Sequence, residues 1–399
     1  MTRSSILDYV EAMWTRYGKA NKREKGKMLD EFTQITGLHR KAAIRLLRRQ
    51  NRSKTKRKRG RKKEYGPEVV GVLEVVWEAS NRLCSKRLQP FIPEMVRVLR
   101  RKGELQVNAE VEAQLCRMSS STIDRLLKPI RKNNGRRGLA TTKQGNLLKD
   151  SIPIRTFADW NENKPGFMEI DLVAHCGDSV EGSFLYTLCA VDVASGWTEC
   201  LPVKGKGQTR VKSSVHRMRL RIPFDLLGVD SDNGSEFINH YFATYCDKEE
   251  ITFTKSRPYK KNDSCYVEQK NGNVVRQVVG YDRYTSEKAY KCLDRLYLVL
   301  RLYINFFQPT MKLISKTRHG AKVHKVYDTA KTPYQRLLDS GTLPESKQQE
   351  LTSIYTYLNP VHLLKDIQDN QEALCKLANH NPRFGNRNYD SMRRSSVTV

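Results

Sequence analysis

The chain has 399 residues, with 72 Lys and Arg against 43 Asp and Glu, a formal net charge of +29. That length is too great for one ordinary core, and the charge surplus serves no folding need; it suits a polyanion, of which nucleic acid is the commonest. No apolar run approaches the roughly 20 residues that span a bilayer, and no secretory leader pattern opens the sequence, so a membrane partner is set aside. The nine cysteines are scattered and never form C-x-x-C, so no structural zinc site is expected and the thiols read as free in a reducing cytoplasm.

Residues 1–50 read as a helix-turn-helix domain. Met28, Leu29, Phe32 and Ile35 recur at helical spacing, and Thr36-Gly37 breaks the run. A second helix, from about Leu38 to Arg49, turns Ala42, Ala43, Leu46 and Leu47 inward. Its outer face carries His39, Arg40, Arg45 and Arg48, which suits DNA phosphates or, as well, plain solvent. Residues 51–65 form a basic linker, in which "NRSKTKRKRGRKK" (51–63) holds nine basic residues and almost nothing apolar. It reads as a tether that touches phosphates, and Arg59-Gly60-Arg61 has the core of a minor-groove AT-hook.

Residues 66–130 read as a second helical DNA-binding domain. Pro67 opens a helix carrying Val69, Val72, Leu73, Val76 and Trp77, and another helix covers about Pro93 to Arg101. "EAQLCRMSSSTIDRLLKPIRK" has a helix-turn-helix shape, with Ser119 to Ser121 as turn and cap and Ile123, Leu126 and Leu127 inward. Residues 131–158 are a polar, basic linker.

From 159 to 308 the texture becomes α/β. "GFMEIDLVAHC" and "FLYTLCAVDVASGWTECLPV" read as strands with a Ser195-Gly196 hairpin signal, and Trp197 as a sheet-packing aromatic. "QTRVKSSVHRMRLRI" is a helix and "FDLLGVDSD" a short strand. "EFINHYFATYCDKE" is a helix with Phe237, Tyr241, Phe242 and Tyr245 inward, and "ITFTKSR" a strand. A long helix from about Asn262 carries Val267, Val274, Val275 and Val278, and a last one covers about Ser286 to Phe306. The expected architecture is a mixed sheet covered by helices. Residues 309–379 form a small C-terminal domain, basic and irregular at first, with Asn359-Pro360 opening a helix whose Leu363, Leu364, Ile367, Leu374 and Leu377 share a face. Residues 380–399 read as a loose basic tail.

Three acids fall where they can carry chemistry. Asp171 lies in an apolar strand, where an ionised carboxylate is costly unless a positive partner meets it. Asp232 ends a later strand in "VDSDNGSEF", and Glu268 follows on a helix with 35 residues between them. Taken singly, Asp232 is a stock turn residue, Glu268 a solvated helix residue, and Asp171 a backbone-bonded acid. Together they can hold two Mg²⁺ ions for in-line phosphoryl transfer. His175 and His216 lack Ser or Cys partners for a hydrolase triad, and "KGKGQTR" (204–210) lacks the P-loop frame and reads as a basic loop.

The pieces "EIDLVAHCG", "DSDNGSEF" and "SRPYKKNDSCYVEQKNGNVVR" resemble the catalytic core of the DDE transposases and retroviral-type integrases, over about residues 160–305. The resemblance implies an RNase H-like core. It makes Asp171, Asp232 and Glu268 the catalytic, metal-binding acids, with Mg²⁺ as cofactor and Mn²⁺ able to substitute. Asp230 is then a structural neighbour. It also implies a homo-multimer on double-stranded DNA, acting on element ends and a target in a prokaryotic cytoplasm. The helical units ahead of the core resemble bacterial insertion-sequence transposases rather than the zinc module of retroviral integrases. Retroviral relatives have a lysine one turn after the glutamate; Gly272 stands there, with Lys270 or Arg276 as substitutes for DNA contact. Two other functions fit: a catalytically silent DNA-binding regulator derived from a transposase, and an RNase H-like nuclease that cuts without joining.

Overall fold

The computed structural model describes residues 2–48, 64–130, 164–232, 234–257 and 264–379, apart from the side chain of Arg3. Residues 51–63 of the basic linker, with Arg59 and Arg61, the 131–158 linker and the 380–399 tail therefore lie outside the described residues. The chain divides into two compact units, residues 1–64 and 65–399.

The first unit is three helices, α1 (Arg3–Lys19), α2 (Lys22–Thr36) and α3 (Arg40–Leu47). Asn21 and Glu24 cap α2 reciprocally, and Gly37 ends it in the left-handed region (φ +71°), as a residue without Cβ can do at no cost. Met13, Tyr17, Met28, Leu29, Phe32, Ala43 and Leu47 form its small core. Ile35 does not join them. It is 48% exposed, because the helical stripe has rotated past the core by the last turn of α2.

The second unit begins with α4 (Pro67–Ala79), α5 (Ser85–Arg101), α6 (Ala109–Cys116) and α7 (Ser120–Leu127). Pro67 sits at the start of α4, and Ser119 accepts from the Thr122 amide at the start of α7, both as expected. The second helix starts eight residues before the expected Pro93 and keeps Pro90 and Pro93 inside it. Leu88, Phe91, Ile92, Met95 and Val96 are buried along one stripe, and that burial outweighs the hydrogen bonds the prolines remove.

This block is not a free-standing domain; it packs into the core of the unit. The Tyr303 hydroxyl donates to the Ala79 carbonyl (2.9 Å), and Gln308 Nε2 donates to the Ser80 carbonyl (2.9 Å). Lys102 Nζ reaches the Tyr357 carbonyl (2.9 Å), and Asn359 Nδ2 donates to Glu104 Oε1 (2.7 Å).

The central layer is a five-stranded sheet made of β1 (Phe167–Ala174), β2 (Leu185–Asp192), β3 (Thr198–Lys204), β4 (Gly228–Ser231) and β5 (Thr252–Lys255), in the order β3-β2-β1-β4-β5. The first three are antiparallel neighbours; β4 and β5 run parallel to β1. Helix α8 (Gln208–Arg219) links β3 to β4, and α9 (His240–Lys248) links β4 to β5, as parallel crossovers require. This is the expected mixed sheet covered by helices, an RNase H-like fold. In α9, Phe242 is fully buried, but Tyr241 is 64% exposed because the helix starts only at His240 and Tyr241 lies on its outer side. Trp197, just before β3, packs edge-on to Phe306 of a helix that covers the sheet.

After β5 come α10 (Cys265–Lys270), a π-helical turn (Asn271–Arg276) and α11 (Gln277–Val279), then the long α12 (Glu287–Phe307), capped by Ser286. The segment beyond Gln308 is not irregular. It folds as a hairpin of β6 (Leu313–His319) and β7 (Lys322–Tyr327), then α13 (Pro333–Asp339), α14 (Glu345–Tyr357) and α15 (Pro360–Cys375). Asn359 caps α15 with Pro360 in its first turn, and Leu363, Ile367 and Leu374 are buried, as read from the sequence. No described helix is long and apolar enough to cross a membrane.

Candidate active site

The pairing of β1 with β4 assembles the acids. Glu169 lies opposite Asp230 and Ile170 opposite Ser231, so the next residues along, Asp171 and Asp232, come level on neighbouring strands. Asp171 is half-buried. Its Oδ1 accepts from the Leu172 amide (2.7 Å), and its Oδ2 accepts from Asn271 Nδ2 (2.7 Å). Burial, with the Asp232 charge next, holds its carboxyl far above the usual carboxylate range. Asp232 Oδ1 accepts from the Gly234 amide (2.9 Å), the turn bond expected of Asp-Asn-Gly; burial pushes Asp232 up as well.

Asp230 points elsewhere. It is almost fully buried and accepts from the Thr254 hydroxyl on β5 (2.6 Å). Glu169 behaves likewise: Oε2 accepts from the Val267 amide in the first turn of α10 (2.9 Å), and burial lifts its carboxyl to about 8. This bond ties α10 to β1. Glu268, the next residue, is exposed, and its charge acts on Glu169. Asn271 stands three positions after Glu268 and so shares its helix face; through Asn271 that face is bound to Asp171. The three candidate acids thus come from β1, the end of β4 and the helix tied to β1, yet among the described residues no three His, Cys, Asp or Glu side chains close on one point as a metal cage.

Two groups here were not singled out in the sequence. Glu236 is buried, and its Oε2 has no hydrogen-bond partner among the described residues. A Cβ placed on Gly234 would lie 2.8 Å from the Glu236 carboxyl carbon and 2.9 Å from Asp232 Oδ1, so with any other residue here one or both carboxylates would have to shift. Glu236 also acts on Asp171. The second group is Lys206, whose charge draws down both Asp232 and Glu236 against the effect of burial. Its loop lines an open cavity of about 590 Å³ with Lys204, Arg210, Ser183 and Tyr186. The sequence carries a signal for each: Glu236 is the second acid of D-N-G-S-E-F, and Lys206 lies in the basic loop "KGKGQTR".

The basic residues expected after Glu268 are placed otherwise. Lys270 is buried beside Cys189 and Cys200, and burial lowers its ammonium to about 8. Arg276 donates to the Ala174 carbonyl at the end of β1 (2.8 Å) and lies over the Tyr281 ring (4.9 Å). Both are tied into the core: Lys270 ends α10 on its buried side, and Arg276, at the end of the π turn, is held to the end of β1. Gly272 faces open space. His175 is fully buried against the Thr187 hydroxyl (2.7 Å) and is held near 3 by burial, with no part in a triad. In the first unit, Arg40 is paired with Asp30, while Arg45 and Arg48 are exposed on α3 and just after it.

Residues 161–261 match the integrase core domain family, a span that includes Asp171 and Asp232 and stops before Glu268. The uncharacterized protein y4rM of Sinorhizobium fredii (strain NBRC 101917 / NGR234) is 44% identical over 338 residues, covering 84% of this chain and 96% of that protein. Among solved structures, the catalytic core domain of BIV integrase is 18% identical, covers 44% of this chain and 95% of its own, and superposes with a TM-score of 0.28. The simian T-cell lymphotropic virus intasome, solved in complex with PP2A regulatory subunit B56 gamma, is 17% identical, covers 63% and 75%, and has a TM-score of 0.32. The chain belongs to one family with the Sinorhizobium fredii protein, and its five-stranded sheet lies within the stretch that matches the integrase core domain.

Proposed function

We propose that the chain is a DNA transposase: it binds the ends of a mobile element, cleaves to expose a 3′-hydroxyl, and joins that hydroxyl to target DNA. The observation that carries this is the level placement of Asp171 and Asp232 on adjacent strands, with Asn271 binding the helix of Glu268 to Asp171. Both steps are phosphoryl transfers. Water, then the 3′-oxygen, forms a new P–O bond as the bond to the leaving oxygen breaks.

The donors fit Mg²⁺, which prefers carboxylate oxygen. Asp171, Asp232 and Glu268 would hold two such ions, or Mn²⁺, and the buried, unpartnered Glu236 oxygen beside them marks an excess of negative charge that a cation would relieve. When bound, the ions would sharpen the attacking oxygen and stabilise the leaving one. The chain's own part is positional. Asn271 and the Leu172 amide fix the Asp171 carboxylate, the Gly234 amide fixes Asp232, and Glu169 holds the start of α10. Arg45 and Arg48 of the helical unit, with Arg59 and Arg61 of the linker, would supply phosphate contacts to the element end. Joining two ends to one target calls for a homo-multimer on the DNA.

The test is a labelled element-end duplex incubated with target plasmid and Mg²⁺, with Asp232→Asn alongside. Joined products that vanish in the variant support the reading. Cleavage without joining would make the chain a nuclease; binding without chemistry in any divalent metal would make it a regulator. A readout independent of turnover is the rise in melting temperature on adding Mg²⁺, expected for the wild type and reduced in Asp171→Asn and Asp232→Asn.

A further inference from the structure

The hairpin of β6 and β7 has no core of its own. Every residue from 314 to 327 is exposed, on both faces of the ribbon. An isolated two-stranded ribbon gains little from burial, so another role has to account for this one. Residues 313–327 contain Lys316, Arg318, Lys322 and Lys325, with His319 and His324, and no Asp or Glu. The register sets Lys316 directly opposite Lys325, with Arg318 two residues along on the same face. Like charges placed directly across a ribbon repel. None of the four cations has an ion-pair partner among the described residues.

The root of the ribbon, by contrast, is firmly held. Lys312 Nζ donates to the Val193 carbonyl (2.6 Å) and to that of Ala194, in the turn between β2 and β3. Asp328 accepts from the Lys312 amide (2.6 Å) and from Arg336 Nη1 (2.7 Å), and Arg336 Nη2 reaches the Thr310 carbonyl (2.7 Å). Val193 also bonds Phe167 at the start of β1, so the root lies at the end of the sheet away from the strand ends that carry Asp171 and Asp232. A seven-residue strand reaches roughly 20 Å at about 3.3 Å per residue. A ribbon of this kind fits the major groove of B-DNA, about 12 Å wide.

We propose that the β6–β7 hairpin is a DNA-binding arm, seating its Lys316, Arg318 and Lys325 face against duplex phosphates at a distance from the site of chemistry. The charge complementarity selects the occupant: a cationic face with no internal acid suits a polyanion. The exposed Val323, paired with Arg318 on that face, is available for a thymine methyl once the ribbon enters the groove. The proposal rests on the reading that the chain works on duplex DNA, but not on its chemistry.

The test uses the full chain in EDTA, where cleavage plays no part. Affinity for a 40-base-pair duplex is measured across a salt series for the wild type and for Lys316→Ala/Arg318→Ala/Lys325→Ala. Each phosphate contact contributes about 0.9 to the slope of log affinity against log salt, so the triple variant should bind more weakly, with a slope shallower by about 2 to 3. In parallel, Val323→Cys, paired with Arg318 on the same face, should crosslink to a thiol-bearing duplex above the background of the native cysteines. An unchanged slope, or no crosslink above background, overturns the arm. So does a triple variant that keeps its DNA affinity but loses self-association, which would make the hairpin a contact between copies of the chain. A changed slope in a chain that never joins DNA would leave the arm standing and the transposase reading fallen; joining by a chain whose slope does not change would do the reverse.

Discussion

Two β structures in this chain treat charge in opposite ways. At one end of the five-stranded sheet, Glu169, Asp171, Asp230, Asp232 and Glu236 crowd together, most of them buried, and burial pushes Glu169, Asp171, Asp232 and Glu236 above their ordinary range. On the β6–β7 hairpin, four cations stand in water with no acid opposite them. Buried carboxylates cost stability until a cation arrives, whereas exposed lysines cost the fold almost nothing. The acidic end should therefore answer to mutation through stability and chemistry together. The arm should answer through binding alone.

The largest effect should come from Asp232→Asn, which lowers strand joining on the order of 10³-fold. Asp230→Asn, whose carboxylate faces Thr254 rather than Asp171, should lose far less in the same joining assay. Equal losses would erase the distinction between the two aspartates and move the ligand role within the strand.

Next in size is Thr254→Val, which keeps the shape but removes a donor to the buried Asp230. Urea unfolding should show a loss of about 1.5–3 kcal/mol, the range for hydrogen bonds to charged groups. A loss below about 0.5 kcal/mol would mean that the acidic end does not depend on this bond.

Lys312, at the root of the arm, sharpens the contrast through pH. Burial, with Arg336 next, lowers its ammonium from 10.5 to about 8. Between about pH 8 and 10.5 the unfolded chain holds this proton and the folded chain does not, so its contribution makes stability rise with pH across that window, and that gain is lost as pH falls through 8. Lys312→Met should flatten the slope of stability against pH in that range; an unchanged slope would place the titration elsewhere.

The smallest effect is the most telling for the arm. Lys316→Ala/Arg318→Ala/Lys325→Ala should leave the unfolding free energy within about 0.5 kcal/mol of wild type, as substitutions on an exposed surface do. A larger loss would show that the ribbon is part of the fold and not only a surface carried by it.

Much of the fold was legible because local rules act on neighbouring residues. Ser119 and Asn359 cap the helices where the sequence placed caps, Ser286 caps the long helix at its expected start, and apolar runs between turn signals marked β1 to β5 in the right order. The misplacements share one cause, which is that packing partners far along the chain decide them. Ile35 and Tyr241 carry apolar character but meet no core. Pro90 and Pro93 stay helical because α5 is buried along its length. Lys270 reads as a surface cation, yet the docking of α10 on the sheet sets it among cysteines of β2 and β3. The hairpin escaped notice because strand recognition relies on a buried face, and this ribbon has none.

The sequence by itself determined the kinds of residue available for chemistry: Asp171 in an apolar strand, Asp232 in its turn, Glu268 on a helix, and a large positive charge. These follow from composition and spacing, which survive without a fold. Only the tertiary structure decided which carboxylates meet. The register of β1 on β4 sets Asp171 beside Asp232, Gly234 leaves room for Glu236, and the bond from Asn271 brings in the helix of Glu268. Long-range strand pairing and helix docking are set by burial summed over the whole core, and no short stretch of sequence contains that sum.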